Sequence, residues 1–267
     1  MKKLILLSVI ALGLLYACSS VPITGRSQLN LVSDSEVLTL SLQEYNDYIK
    51  TATKSTDKTK TALVVKVGTN IANAVTQYYK SIGQEAALSD YSWEFNLIED
   101  AQVNAFCMPG GKIVVYTGIL PVTQDETGLA VVLGHEVGHA IAKHANERMS
   151  QQVVAQYGAT AVGALLGGKS ETIQNIAQQV YGLGAQYGVM LRYERKQELE
   201  ADRLGLDLMA IAGYDPQKAV SFWQRMAAQS SASVPEFMST HPADATRIAE
   251  IQKFMPEAME IYNTLHK

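Results

Sequence analysis

Two histidines and a glutamate interrupt a long apolar stretch of this chain, at His135-Glu136-Val137-Gly138-His139. The stretch Thr123–Met149 reads as one helix. Thr123 and Glu126 have capping-box spacing at its start, Asp125 and Glu126 suit its positive end, and Lys143, His144 and Arg148 suit its negative end. Leu129–Leu133 and Val137–Ala142 are apolar nearly all round, so the helix is expected to be buried. Imidazoles on a buried apolar helix are costly unless something satisfies them. His135 and His139 lie four residues apart, hence one turn apart on one face, where they can grip a single metal ion. Glu136 is rotated by about one residue step and can reach a water on that metal. With 5 His and 26 acids in 267 residues, the HExxH pattern arises by chance in roughly 1% of such chains. His144 lies about 140° round the helix from His139 and reads as structural, since it could share the metal only if the helix broke.

Zinc needs a third protein ligand, with a position left for water. The candidates lie in residues 191–212, a helix ended by Gly213 and followed by Asp215-Pro216 as the start of the next. Ala201, Leu204, Gly205, Leu208 and Ala212 form its core stripe. Glu194 and Glu198 both flank that stripe, and spacing alone does not choose between them.

Elsewhere, residues 34–50 and 61–82 read as helices, and 50–60 as a polar surface loop. Tyr91, Trp93, Phe95 and Leu97 alternate with polar residues as a half-buried strand. Val103–Met108 and Lys112–Thr117 flank Pro109-Gly110-Gly111 and read as a hairpin. The expected fold is α+β and mostly helical, with a sheet of about three strands. As an open edge, the strand at Asn104 and Ala105 would take an extended peptide by backbone hydrogen bonds. The stretch Met149–Gly168 carries no charged residue and 155–190 is rich in glycine, which reads as a lid beside the site.

Residues 1–17 carry Lys2, Lys3 and a short apolar run, the pattern of a signal peptide. Leu15-Tyr16-Ala17-Cys18 resembles the bacterial lipobox, which implies lipidation at Cys18 and a tether over 18–33, leaving 34–267 as the domain that carries the HExxH helix. Ser19 after the cysteine suits an outer-membrane, periplasm-facing address. The second cysteine, Cys107, then has no partner and reads as a buried small hydrophobe. A net charge of −4 leaves no electrostatic footprint for nucleic acid.

Four ordered motifs, HEVGH, ELEAD (Glu198 to Asp202), STHPADATRI (Ser239 to Ile248) and NAFCMPGGKIVVYTGIL (Asn104 to Leu120), resemble the CAAX-prenyl-protease/HtpX family of zinc metallopeptidases over about residues 90–250. The resemblance implies a zincin-like (gluzincin) domain holding one zinc ion on His135, His139 and Glu198. It implies that Asp202 orients a ligating histidine and that Glu136 is the general base. Glu194 is then a surface or salt-bridging residue. His241 is a candidate to stabilise the oxyanion or to act as a fourth ligand, and Arg247 to pair with Asp202 or the substrate carbonyl.

With the lipobox, the motifs suggest the lipid-anchored envelope branch, whose tetratricopeptide array has no room here. The expectation is a zinc endopeptidase of the bacterial cell envelope that degrades misfolded or unassembled envelope proteins. The alternative is an outer-membrane assembly factor or chaperone, with an assembly partner and secondary or latent proteolysis.

Overall fold

The computed structural model describes residues 18–22, 24–153, 195–229, 236–241 and 245–266. The signal peptide at 1–17, the Cys18 side chain, Glu194 and all but the first residues of the glycine-rich stretch lie outside the described residues.

Helix α1 (Asp34–Thr51) starts where the Ser33 hydroxyl accepts from Glu36 N–H, and α2 (Lys58–Ser81) starts where Asp57 accepts from Thr59 and Lys60. These side chains satisfy amide donors that have no partner inside the helix. A three-stranded sheet follows, of β3 (Glu94–Ile98), β4 (Ala105–Met108) and β5 (Lys112–Tyr116), in the order β3-β5-β4. Strand β5 pairs parallel to β3 and antiparallel to β4, and Gly110 and Gly111 turn the hairpin at φ +86° and +81°. Those angles suit glycine, which has no Cβ to clash.

Both sheet faces are covered. Ile113 and Val115 of β5 join α2 in one core cluster, whereas Val114 and Tyr116 join Val37 and Tyr45 of α1 in another. Successive strand residues point to opposite faces, so a central strand buried on both must be apolar throughout.

The stretch expected as one helix over Thr123–Met149 is two. Helix α3 (Glu126–Ile141) is capped by Asp125, whose carboxylate accepts from Gly128 N–H at 2.7 Å, and not by Thr123. Gln124 intervenes at φ +66°. The chain then turns at Ala142–Lys143, with Lys143 at φ +55°, and helix resumes over 144–153 as α4. The remaining helices are α5 (Arg195–Ile211), α6 (Lys218–Gln229), α7 (Glu236–Thr240) and α8 (Ala245–Leu265).

Among the described residues, helices α3 and α5 pack against each other more extensively than any other pair of elements. A Cβ on Gly138 would sit 2.9 Å from the Ala201 carbonyl, and one on Gly205 would sit 2.9 Å from the His135 nitrogen. Only hydrogen at these crossings lets the two backbones approach closely enough for α5 to lay its side chains over the α3 histidines.

The segment expected as a tether is packed on the body. Strand β1 (Cys18–Ser20) pairs antiparallel with β2 (Ser27–Leu29), Val21 and Val32 are buried, and the Ser150 hydroxyl accepts from Leu31 N–H at 2.8 Å. No helix among the described residues is long and apolar enough to cross a membrane.

Candidate metal centre

Helix α3 presents His135 and His139 one turn apart, and α5 crosses it so that Glu198 meets both. Residue 241, just after α7, brings a third imidazole. One donor atom from each of His135, His139, Glu198 and His241 lies within 4.8 Å of all the others, and all four side chains are buried.

The spacings test whether these groups fit a metal. Donors about 2.0–2.1 Å from a tetrahedral ion lie about 3.3 Å from one another. Here His135 Nε2 and His139 Nε2 are 3.0 Å apart, His139 Nε2 and Glu198 Oε1 3.3 Å, and His135 Nε2 and Glu198 Oε2 3.5 Å. His241 Nδ1 is 3.1 Å from His135 Nε2 and 3.0 Å from Glu198 Oε1. His135 Nδ1 faces the Asp202 carboxylate at 2.9 Å, which only accepts, so the ring proton of a neutral His135 sits on Nδ1. Its Nε2 lone pair then faces the small space shared with two further ring nitrogens and the Glu198 carboxylate, a donor set that suits a cation. The residues fit zinc.

Burial raises the Glu136 carboxyl to about 7, with the His241 charge opposing and Glu198 adding to the shift. Its Oε1 is buried and makes no hydrogen bond among the described residues, while His241 Nε2 lies 3.4 Å away. Burial also pulls His139 well below its usual range. For His135, burial and Arg247 act in the same direction, but the hydrogen bonds to Asp202 and Glu198 outweigh them and the imidazole is raised. Burial would raise Glu198, yet the charges of His241, Arg247 and His139 hold it well below the usual carboxylate range.

Arg247 does not reach into open space. Its Nε and Nη2 fork onto the two Asp202 oxygens, each at 2.7 Å, and its Nη1 donates to the His241 carbonyl and lies 3.1 Å from Glu198. The guanidinium also stacks 3.5 Å from the Trp223 ring centre. Of the two expected roles, pairing with Asp202 is the one the geometry displays. The buried fork pins Asp202, and Asp202 in turn orients His135.

Among the described residues, strand β4 stands at the edge of its sheet. Asn104 and Phe106 pair with β5, so the backbone groups of Ala105 and Cys107 point away from the sheet, and the Cys107 amide favours the charged form of Glu136. The outer edge is partly engaged: Asn104 Oδ1 accepts from Ala105 N–H at 2.9 Å, and the Val103 carbonyl accepts from Phe237 N–H at 3.1 Å. Cys107 is a buried free thiol, and burial pushes it up.

Sequence reasoning missed a chain of polar groups behind His139. His139 Nδ1 is 2.7 Å from His144 Nδ1, and His144 Nε2 is 2.9 Å from Glu200 Oε2. Glu200 accepts from Thr24 and, at 2.5 Å, from Arg26 Nε, while the other guanidinium nitrogens of Arg26 hold Glu147 at 2.9 and 2.8 Å. The break at Lys143 brings His144 round to His139. On an unbroken helix the two would diverge.

Residues 70–255 match the model of Peptidase family M48. The chain is 30% identical to mitochondrial metalloendopeptidase OMA1 of Saccharomyces cerevisiae over 90% of its own length and 70% of that protein. Against the protein of the same name from Schizosaccharomyces pombe it is 37% identical, over 69% of its length and 53% of that protein. Against the beta-barrel assembly-enhancing protease of Escherichia coli it is 30% identical, over 66% of its length and 38% of that protein. The chain spans about half the length of most of the curated relatives it matches. These likenesses overturn the expectation of a bacterial envelope quality-control protease at the outer membrane. The relatives that align over nine-tenths of this chain are mitochondrial metalloendopeptidases, and the bacterial protease aligns over a smaller part.

Proposed function

Because this chain belongs to peptidase family M48, we propose that it is a zinc-dependent metalloendopeptidase that cuts polypeptides lying beside β4. The observation that carries the reading is the convergence of His135, His139 and Glu198 at tetrahedral spacing with the Glu136 carboxyl beside them, its Oε1 making no hydrogen bond among the described residues. Zinc on those three residues supplies Lewis acidity to a water and to the scissile carbonyl.

The protein's own groups do the rest. Glu136, poised near 7 by burial, accepts the proton of the attacking water on a carboxylate oxygen and returns a proton to the leaving amine. Ala105 and Cys107 offer the backbone groups an extended peptide can pair with, once the Asn104 carboxamide swings off the Ala105 amide. Asp202 and Arg247 hold His135 still.

His241 gives this arrangement a second aspect. Its Nδ1 sits at the fourth corner of the donor set, where the attacking water belongs, and its Nε2 faces Glu136. The described arrangement is therefore a closed form, and His241 must leave for turnover. This placement favours the fourth-ligand role over that of oxyanion stabiliser.

The test is zinc content and casein cleavage of wild type beside Glu136→Gln and His241→Ala. Glu136→Gln is expected to keep stoichiometric zinc and lose cleavage by roughly 10²–10⁴-fold; unchanged cleavage overturns the general-base role. His241→Ala is expected to keep zinc and cleave faster than wild type, whereas slower cleavage assigns His241 to the oxyanion instead.

A further inference from the structure

We propose that His144 and Glu200 are positioning residues for the metal centre, and that Arg26 extends their hold on His139 into the amino-terminal segment. The proposal rests on the zinc site argued above and adds the residues that stand behind His139. Four observations lead there.

Glu200 is an acceptor when ionised, and it takes three donors: Thr24 Oγ1, Arg26 Nε and His144 Nε2. His144 Nε2 therefore carries the proton, and a neutral His144 has its lone pair on Nδ1. That lone pair faces His139 Nδ1 at 2.7 Å, so His139 carries its proton there. The free lone pair of His139 is then on Nε2, the atom 3.0 Å from His135 Nε2 and 3.3 Å from Glu198 Oε1. Each contact fixes the next, and a single tautomer of each ring satisfies all of them. Reversing either ring would set a lone pair against a carboxylate or a proton against the metal.

The start of this chain of contacts lies outside the peptidase body. Arg26 follows β1 and reaches two acids on different helices, Glu147 of α4 and Glu200 of α5. Gln197 donates to the same Glu147 at 2.6 Å. The amino-terminal segment thus ties α4 to α5 directly behind the metal-facing side of His139, and the placement of that imidazole depends on a residue 174 positions away from Glu200 in sequence.

The test uses the full chain carrying Glu136→Gln to prevent self-cleavage, with zinc affinity read by competition against a chromophoric chelator. His144→Leu is expected to weaken zinc binding about 10–100-fold, the usual effect of removing a group that orients a ligating histidine. His144→Gln carries an acceptor and a donor in one planar group and is expected to stay within about threefold of the parent. Arg26→Gln is expected to weaken binding about three- to tenfold.

Equal affinity of His144→Leu and the parent overturns the proposal, as does a loss in His144→Gln as large as in His144→Leu, which assigns the effect to packing. Arg26→Gln at parental affinity removes the amino-terminal part. Ring-nitrogen NMR of the zinc-loaded parent gives a readout that needs no further variant: His144 is expected neutral with its proton on Nε2, and a proton on Nδ1 overturns the chain of contacts. If the parent itself binds no zinc, the metal site fails, a result distinct from a parent that binds tightly and variants that match it.

Discussion

His135 and His139 present the same nitrogen to the same point from adjacent turns of one helix, yet the protein behind them is built differently. Behind His135 stands Asp202, forked by Arg247, and all three are nearly inaccessible to water. Behind His139 stands another imidazole, then Glu200, then Arg26, whose side chain remains 20% exposed. The first support is short and sealed, and the second is long and ends at the surface. A buried ion pair is costly to halve, because the remaining charge has no water to turn to, whereas a pair that reaches solvent rehydrates when broken. The two halves of the metal centre should therefore fail by different amounts and in different ways.

The largest difference is expected from Asp202→Ala. It strands Arg247 in the core and removes the acceptor of His135, for a loss of about 3–5 kcal/mol in unfolding free energy as well as weaker zinc binding. A loss under 1 kcal/mol by urea unfolding would erase the contrast with the His139 side.

Next comes the joint that brings both supports to the ligands. Gly205→Ala places a Cβ 2.9 Å from the His135 nitrogen and 3.0 Å from the Gly134 carbonyl carbon, neither of which can swing aside. Overpacking there is expected to cost about 1–3 kcal/mol and to draw Glu198 off the histidines. Retention of both wild-type stability and zinc affinity would show that the helices part freely.

On the exposed side, Arg26→Ala is expected to cost on the order of 1 kcal/mol, with a larger relative effect on zinc binding than on unfolding.

The smallest effect sharpens the rule about partners. Asp207 lies on α5 like Asp202, but burial and the nearby Glu257 charge raise it to about 7, with Arg203 opposing. Its folded value lies above its unfolded one, so the folded state holds a proton that the unfolded chain releases between about pH 4 and 7. Stability attributable to this group falls as pH rises through that window. Asp207→Asn is expected to raise Tm by a few degrees at pH 8 and to change nothing at pH 4, as read by calorimetry; an equal change at both pH values would assign the effect to packing.

What could be read ahead of the structure was local. The period-two run at Tyr91–Leu97, the glycine pair at the hairpin and the HExxH helix each declare themselves within a dozen residues; the hairpin formed where expected, while the strand is Glu94–Ile98 and the helix ends at Ile141. Glu198 and Asp202 came from the resemblance of the ELEAD motif, since spacing alone did not choose between Glu194 and Glu198. The Lys143 break was hidden, since nothing in Ala142-Lys143-His144 demands a positive φ. Glu200 lies about 200° round α5 from Glu198, and only the tertiary fold brings it to His144 of α4. Arg26 sits in a segment with no periodic pattern, and its partners are 121 and 174 residues distant. The capping error at Thr123 has the same origin: Thr123 and Asp125 both offer an oxygen, and only the turn at Gln124 decides which of them meets the free amides.

The four donors span 106 positions of the chain, from His135 to His241. An ion seated among them acts as a clasp that the unfolded polypeptide lacks. Its contribution grows with the free concentration of the metal, by about 2.7 kcal/mol at a hundred times the dissociation constant. The melting point of this protein is therefore no fixed property of its amino acids, and in surroundings starved of zinc the molecule should loosen without a single residue being changed.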